Sequence, residues 1–216
     1  MGSLKSKLRS AVLILLVLLS VSAAQASVLF ATGNASMSEN VLFGHSTCAG
    51  CVDGPAVTVV GHGQNSNILV DFTDFDNPLI NLVISGANTI TYDLSGTAGF
   101  SLLDIAAPGY YISGIMFQLT EISTVSDGLA TFTAHTDGGD VISSPFTLLH
   151  QGGGLNQYNI TSTGGTLISS IDISTTNVLH DISQIAITLE PVPEPATYGM
   201  AGAALAVLAL WRRRKA

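Results

Sequence analysis

The 216 residues carry 15 acidic against 7 basic side chains, for a formal net charge of −8. All seven basic residues sit near the two ends, at Lys5, Lys7, Arg9, Arg212, Arg213, Arg214 and Lys215, whereas fourteen of the fifteen acids lie between Ser27 and Glu190. A middle section without Lys or Arg has no cation to neutralise phosphates, which argues against nucleic acid as a partner. Its solubility must rest on hydroxyls, amides and spread carboxylates, whose mutual repulsion salt or divalent cations would relieve.

The chain opens with Lys5, Lys7 and Arg9, followed by the apolar run Ala11 to Leu19 and the small residues Ala24-Gln25-Ala26. A basic region, a short apolar core and a small-residue site make residues 1–26 a predicted signal peptide, with a signal helix and cleavage before Ser27. The apolar run is too short to span a bilayer comfortably, so a retained anchor is the weaker reading. Signal peptidase is thus the first expected partner, and the mature ectodomain is expected to occupy residues 27–190.

That ectodomain is rich in Gly, Ser, Thr, Asn, Ile, Leu and Val, and poor in residues that favour exposed helices. Strands are predicted over Val28 to Ala31, Val57 to Val60, Ile68 to Phe72, Leu79 to Ile84, Thr89 to Leu94 and Phe100 to Ile105. They continue over Tyr111 to Ile122, Leu129 to His135, Pro145 to His150, Gln157 to Thr161, Leu167 to Ile173 and Ile182 to Leu189. Alternation in Phe117-Gln118-Leu119-Thr120, in Ile171-Asp172-Ile173 and in Ile185-Ala186-Ile187-Thr188-Leu189 supports the assignment. Asp127-Gly128, Asp137-Gly138-Gly139 and Gly152-Gly153-Gly154 supply turns between them. Many short strands with such turns predict an all-β domain, a single antiparallel β-sandwich of jelly-roll-like kind. No fixed-period repeat supports a solenoid.

Cys48-Ala49-Gly50-Cys51 is the first candidate for chemistry. In an oxidising compartment two cysteines three apart close a small disulfide. A zinc site could instead recruit His45 and His62, but the spacing is irregular and oxidation competes with it. Gly44-His45-Ser46-Thr47-Cys48 lacks the last glycine of a nucleophile elbow, so chance explains it better. Asp71, Asp74 and Asp76 form a weak candidate calcium site, with Asp137-Gly138-Gly139-Asp140 behind it. Neither stretch has EF-hand spacing, and aspartates capping a turn explain both. The threonine pairs Thr89/Thr91, Thr131/Thr133 and Thr161/Thr163 each fall on one strand face. No catalytic set is legible.

The chain ends Pro191-Val192-Pro193-Glu194-Pro195, then a stretch free of charge from Ala196 to Trp211, then Arg212, Arg213, Arg214 and Lys215. The prolines are expected to stop any strand and start an extended tether. About sixteen apolar or small residues form a helix of roughly 24 Å, short against a hydrocarbon core of about 30 Å. The cations should stay in the cytoplasm. The expectation is a thin transmembrane helix with its C-terminus inside.

Taken together, Val192-Pro193-Glu194-Pro195, the short apolar helix and the basic stop resemble the PEP-CTERM sorting signal of Gram-negative bacteria, also called the ice-binding protein C-terminal domain. The resemblance covers residues 191–216 only. It implies processing near Pro-Glu-Pro by an exosortase, passage through the inner membrane, and delivery to the cell surface or extracellular matrix. The expected function is that of an exported, non-enzymatic structural or adhesive protein that associates with matrix polysaccharide. A secreted carbohydrate-active enzyme and a calcium-stabilised adhesin are the alternatives.

Overall fold

Leu, Ile, Val and Phe at every second position give the longer strands one apolar face, and burying those faces together organises the molecule. The computed structural model describes residues 27–44, 48–76, 82–92, 99–122, 126–150 and 156–192. The predicted signal helix and membrane helix lie outside these residues. Among the described residues there is no helix, so none is long and apolar enough to cross a membrane.

The strands are β1 (Ser27–Thr32), β2 (Glu39–Leu42), β3 (Thr58–Gly63), β4 (Leu69–Asp74), β5 (Leu82–Gly86), β6 (Thr89–Tyr92) and β7 (Phe100–Ala106). They continue as β8 (Tyr110–Glu121), β9 (Gly128–Thr136), β10 (Gly139–Ile142), β11 (Phe146–Leu148), β12 (Gln157–Thr163) and β13 (Ile168–Pro191). Every pairing between them is antiparallel. The expectation of an all-β antiparallel fold is met.

β13 differs most from the sequence reading. Two strands were expected, Leu167 to Ile173 and Ile182 to Leu189, separated by a polar stretch. The chain instead stays extended for 24 residues. Side chains of that polar stretch bond outward rather than folding it into a turn. Thr176 Oγ1 accepts from the Leu129 amide at 2.9 Å, and Asn177 Nδ2 donates to Glu121 and to the Ser126 carbonyl. Bulges absorb the change of direction: the register shifts between Ser174 and Leu179 and again between Ser183 and Ala186, where Gln184 has φ of 51°. The strand also runs through Pro191, which pairs with Tyr110, whereas the sequence reading stopped it there. A proline is tolerated at a strand end because its missing N–H costs no interior ladder bond.

The first half of β13 pairs with β7 and β9, and its second half with β8, β6 and β2. Since β2, β3, β4 and β7 also pair in that order, the hydrogen bonds run from β13 through them and back to β13. β12 and β1 extend from β8, while β10 and β11 pair with β9. β2 was missed in the sequence because its four residues show only one buried position, Val41.

The core draws on two groups of strands, β8 with β12 and β1, and β9 with β11 and β10, which pair with different parts of β13. Phe117 and Tyr158 from β8 and β12 pack against Phe132 and Phe146 from β9 and β11, with ring centroids 5.0 to 5.7 Å apart. Tyr158 donates its hydroxyl to the Thr147 carbonyl at 3.0 Å, so its polar atom enters the core satisfied. Burial, with the charge of Glu121, pushes that phenol up to about 12.

The loop before β3 is held by a disulfide. Cys48 and Cys51 are joined, with Cα atoms 5.4 Å apart, as the sequence led us to expect. Gly54 in this loop has φ of +85°, and a Cβ there would meet the Leu82 carbonyl oxygen at 2.1 Å, so only glycine fits. Closing so short a loop stabilises the fold by about 2 kcal/mol in the chain-entropy picture. The Cys48→Ser/Cys51→Ser double variant is therefore expected to lose about that much in urea unfolding. A loss near zero would show that the staple constrains nothing.

Candidate functional site

Strands β3, β4, β7, β13, β9 and β10 lie side by side, and the residues that alternate with their buried ones form an open polar face. Register sets its order. One row runs Thr58, Thr73, Asp104, Asp172, Thr133; the next runs Asp71, Ala106, Ser170, His135, Asp140. Beneath it, Val59, Phe72, Leu103, Ile105, Ile171, Ile173, Phe132 and Ala134 are buried.

Two carboxyl groups meet at the centre of this face. Asp104 and Asp172 are directly opposite each other on β7 and β13. Burial and the neighbouring Asp172 charge raise Asp104 to about 6, against the pull of a Ser170 hydrogen bond and of His135. His135 continues the chain of contacts, its Nε2 2.9 Å from Asp172 Oδ2 and its Nδ1 2.8 Å from Asp140 Oδ1. Those two carboxylates, Asp172 first, raise the imidazole above its usual value although burial opposes them. Thr58 and Thr73 exchange a hydroxyl hydrogen bond at 2.9 Å beside the pair. The surface can thus present hydroxyls and carboxyl groups to a polar ligand.

The sign of the pH dependence follows from these raised values. Asp104 in the fold binds its proton more tightly than in the unfolded chain, so its stabilisation is present below 3.8 and lost as pH rises through about 6. His135 acts the same way from 6.5 upward, and burial raises Asp71 in the same sense from 3.8. Glu39, Asp76 and Asp127 oppose them. Burial works against the first two, but their hydrogen bonds outweigh it and hold them below 4.5 and 3.8; bonds from His150 hold Asp127 low. Their stabilisation is present above those values and lost as pH falls below them. Stability is therefore expected to peak near pH 5. The Asp104→Asn variant should gain about 1 kcal/mol at pH 7.5 after allowing for solvent screening, and nothing at acid pH. Urea unfolding of both proteins across this range would check it, and a pH-independent difference would contradict the pairing.

The sequence candidates land in different places. Asp71 and Asp74 are three residues apart on β4, so strand alternation sends them to opposite faces. Asp74 and Asp76 do come together: the Asp76 amide donates to Asp74 Oδ1 at 3.1 Å. Ser101 donates its amide, at 2.7 Å, and its hydroxyl to Asp76 Oδ2. The three aspartates thus do not share one ligand set. Asp137 to Asp140 form the β9–β10 turn, fastened by Thr136 Oγ1 to the Gly139 carbonyl at 2.6 Å and to the Gly138 amide at 3.2 Å. Of the candidate zinc ligands, Cys48, Cys51 and His62 have ligand atoms within 4.8 Å of one another, yet the two sulfurs are bonded to each other. His62 Nδ1 lies 3.4 Å from Cys51 Sγ. His45 and Ser46 lie outside the described residues.

Thr131 and Thr133 belong to the polar face, Thr91 is buried with its hydroxyl donated to the His180 carbonyl, and Thr161 and Thr163 line a groove elsewhere. The three pairs do not join into one array. The Asp104–Asp172–His135 chain was missed because its members come from three strands. Alternation in Ile171-Asp172-Ile173 shows that Asp172 faces outward, but only register reveals what it faces.

The last described residues lead into the sorting segment. Pro191 pairs with Tyr110, and the Val192 amide donates to the Gly109 carbonyl at 3.3 Å. Pro193, Glu194, Pro195 and the basic stop at Arg212, Arg213, Arg214 and Lys215 lie beyond. No curated protein and no solved structure matches this chain. Residues 191–215, however, match the family described as the PEP-CTERM protein-sorting motif. The strand that unites the fold therefore continues directly into a PEP-CTERM sorting motif, which implies an exported protein sorted by an exosortase.

Proposed function

We propose that residues 27–190 are the exported cargo, a non-enzymatic surface or matrix protein that works by contact with polysaccharide. In this reading the two groups of strands that share β13 pack face to face as a jelly-roll-like sandwich, an arrangement favoured by the aromatic contacts between them. The signal peptide is removed before Ser27. The apolar segment holds the chain in the inner membrane until processing, and the product reaches the cell surface or extracellular matrix of a Gram-negative bacterium.

One observation carries the contact role: the open face where Asp104, Asp172, His135 and a row of threonines are held in fixed register. Hydroxyl and carboxyl groups side by side on one sheet face suit hydrogen bonding to sugar hydroxyls. The test is a glycan array and a matrix pull-down with the purified ectodomain. Asp104→Asn/Asp172→Asn and Thr73→Ala variants should lose binding by about tenfold or more, as expected when about 1.4 kcal/mol of polar contact is removed. Unchanged binding, or none by the native domain, would refute the assignment.

The paired carboxyls favour one second reading, a carbohydrate-active enzyme, because a raised acid beside a carboxylate is the pairing that glycoside hydrolysis uses. Release of reducing ends from matrix polysaccharide, abolished in Asp104→Asn, would select it. A calcium-stabilised adhesin is distinguished by a melting temperature that falls with chelator.

A further inference from the structure

The two targeting segments leave the fold at the same end. Ser27, where the mature chain is expected to begin, pairs with Thr163 on β12. Its carbonyl also accepts from Thr163 Oγ1 at 3.1 Å and Thr166 Oγ1 at 3.4 Å. Following the register across β12 and β8, Thr161 lies opposite Gly114 and Leu189 opposite Ile112, so Ser27 stands close to the level of Leu189. Pro191 is the next outward step on β13. The exits belong to β1 and β13, three strand spacings or about 14 Å apart.

We propose that this end of the fold, made by Ser27, the Ala107–Tyr110 turn, the turn between β12 and β13, and Pro191, rests on the headgroup surface of the bilayer. The inference depends on the reading of residues 191–216 as a membrane-directed sorting segment. Reach supports it: Val192 is still bonded to Gly109, and only three residues separate it from Ala196, four steps or at most about 14 Å of chain. A tether this short keeps that end of the domain close to the apolar segment. The surface suits the contact, for a groove of about 400 Å³ at this end is lined by Ser113, Thr161, Thr163, Thr166, Thr188 and Glu190. Hydroxyls of that kind can exchange hydrogen bonds with headgroups, and Tyr110 and Tyr111 suit the interface. Without Lys or Arg, the contact is imposed by the tether rather than by attraction to anionic lipid, so it should persist at high salt.

The full chain placed in phosphatidylethanolamine–phosphatidylglycerol vesicles, with nitroxide on the lipid headgroups, tests this. A fluorophore is attached at Pro108→Cys in the near turn, at Asp137→Cys as an independent site of the same end, or at Ser126→Cys. The disulfide leaves no native thiol to compete. Ser126 contacts Asn177 at the far end, about 35 Å away along β8. Quenching is expected to be several-fold stronger at residues 108 and 137 than at 126, with or without added salt. Flotation with equal or reversed quenching overturns the orientation alone. Failure of the chain to float with the vesicles overturns the sorting-segment reading and the orientation with it.

Discussion

Replacing Phe132 with alanine is expected to lower the unfolding free energy by about 3–5 kcal/mol, a large share of a typical domain's stability. The ring is 1% exposed. Its centroid lies 5.0 Å from Tyr158, 5.6 Å from Phe117 and Phe146, and 6.5 Å from Phe30. It therefore belongs to β9 yet touches rings from β1, β8, β11 and β12, and no neighbour can collapse into its place without leaving another void. Phe75→Ala is the control, because that ring is 60% exposed and its loss should stay within about 0.5 kcal/mol. Urea unfolding of the two variants would decide the matter. Equal losses would mean that Phe132 does not bind the two groups of strands together.

The second large effect concerns destination rather than stability. Changing Pro193, Glu194 and Pro195 to alanine is expected to leave the melting temperature of the domain unaltered and to abolish processing. Val192 is the last of the described residues and is bonded to Gly109, and these three follow it in the chain. Intact mass of the protein recovered from cells would show the variant keeping its apolar segment and basic stop, while the native chain loses them. Identical masses and identical distribution between membrane and medium would remove the motif from the sorting step.

The strands of this fold were largely legible because apolar and polar residues alternate along them. Phe117 to Thr120 and Ile185 to Leu189 announce both their extended shape and the face they bury. What could not be read was who pairs with whom. Asp104 and Asp172 are adjacent only because β7 and β13 align at that level, and neither residue's surroundings in the chain foretell it. The continuity of β13 was hidden for a different reason. Ser174 to Asn177 has the composition of a turn, and only distant partners such as Leu129 and Glu121 keep it extended. The cysteine pair and the sorting motif were legible because their chemistry depends on residues close together in the chain.

The position of β13 also orders events in time. The strand that joins β2, β6, β7, β8 and β9 follows the other described strands in the chain, so pairings with it come after theirs in synthesis. Contacts of such long sequence separation close slowly. A chain still lacking β13 therefore has no strand to join β8 and β9 to the row β2, β3, β4 and β7, and the complete fold is expected to close only when that strand is available.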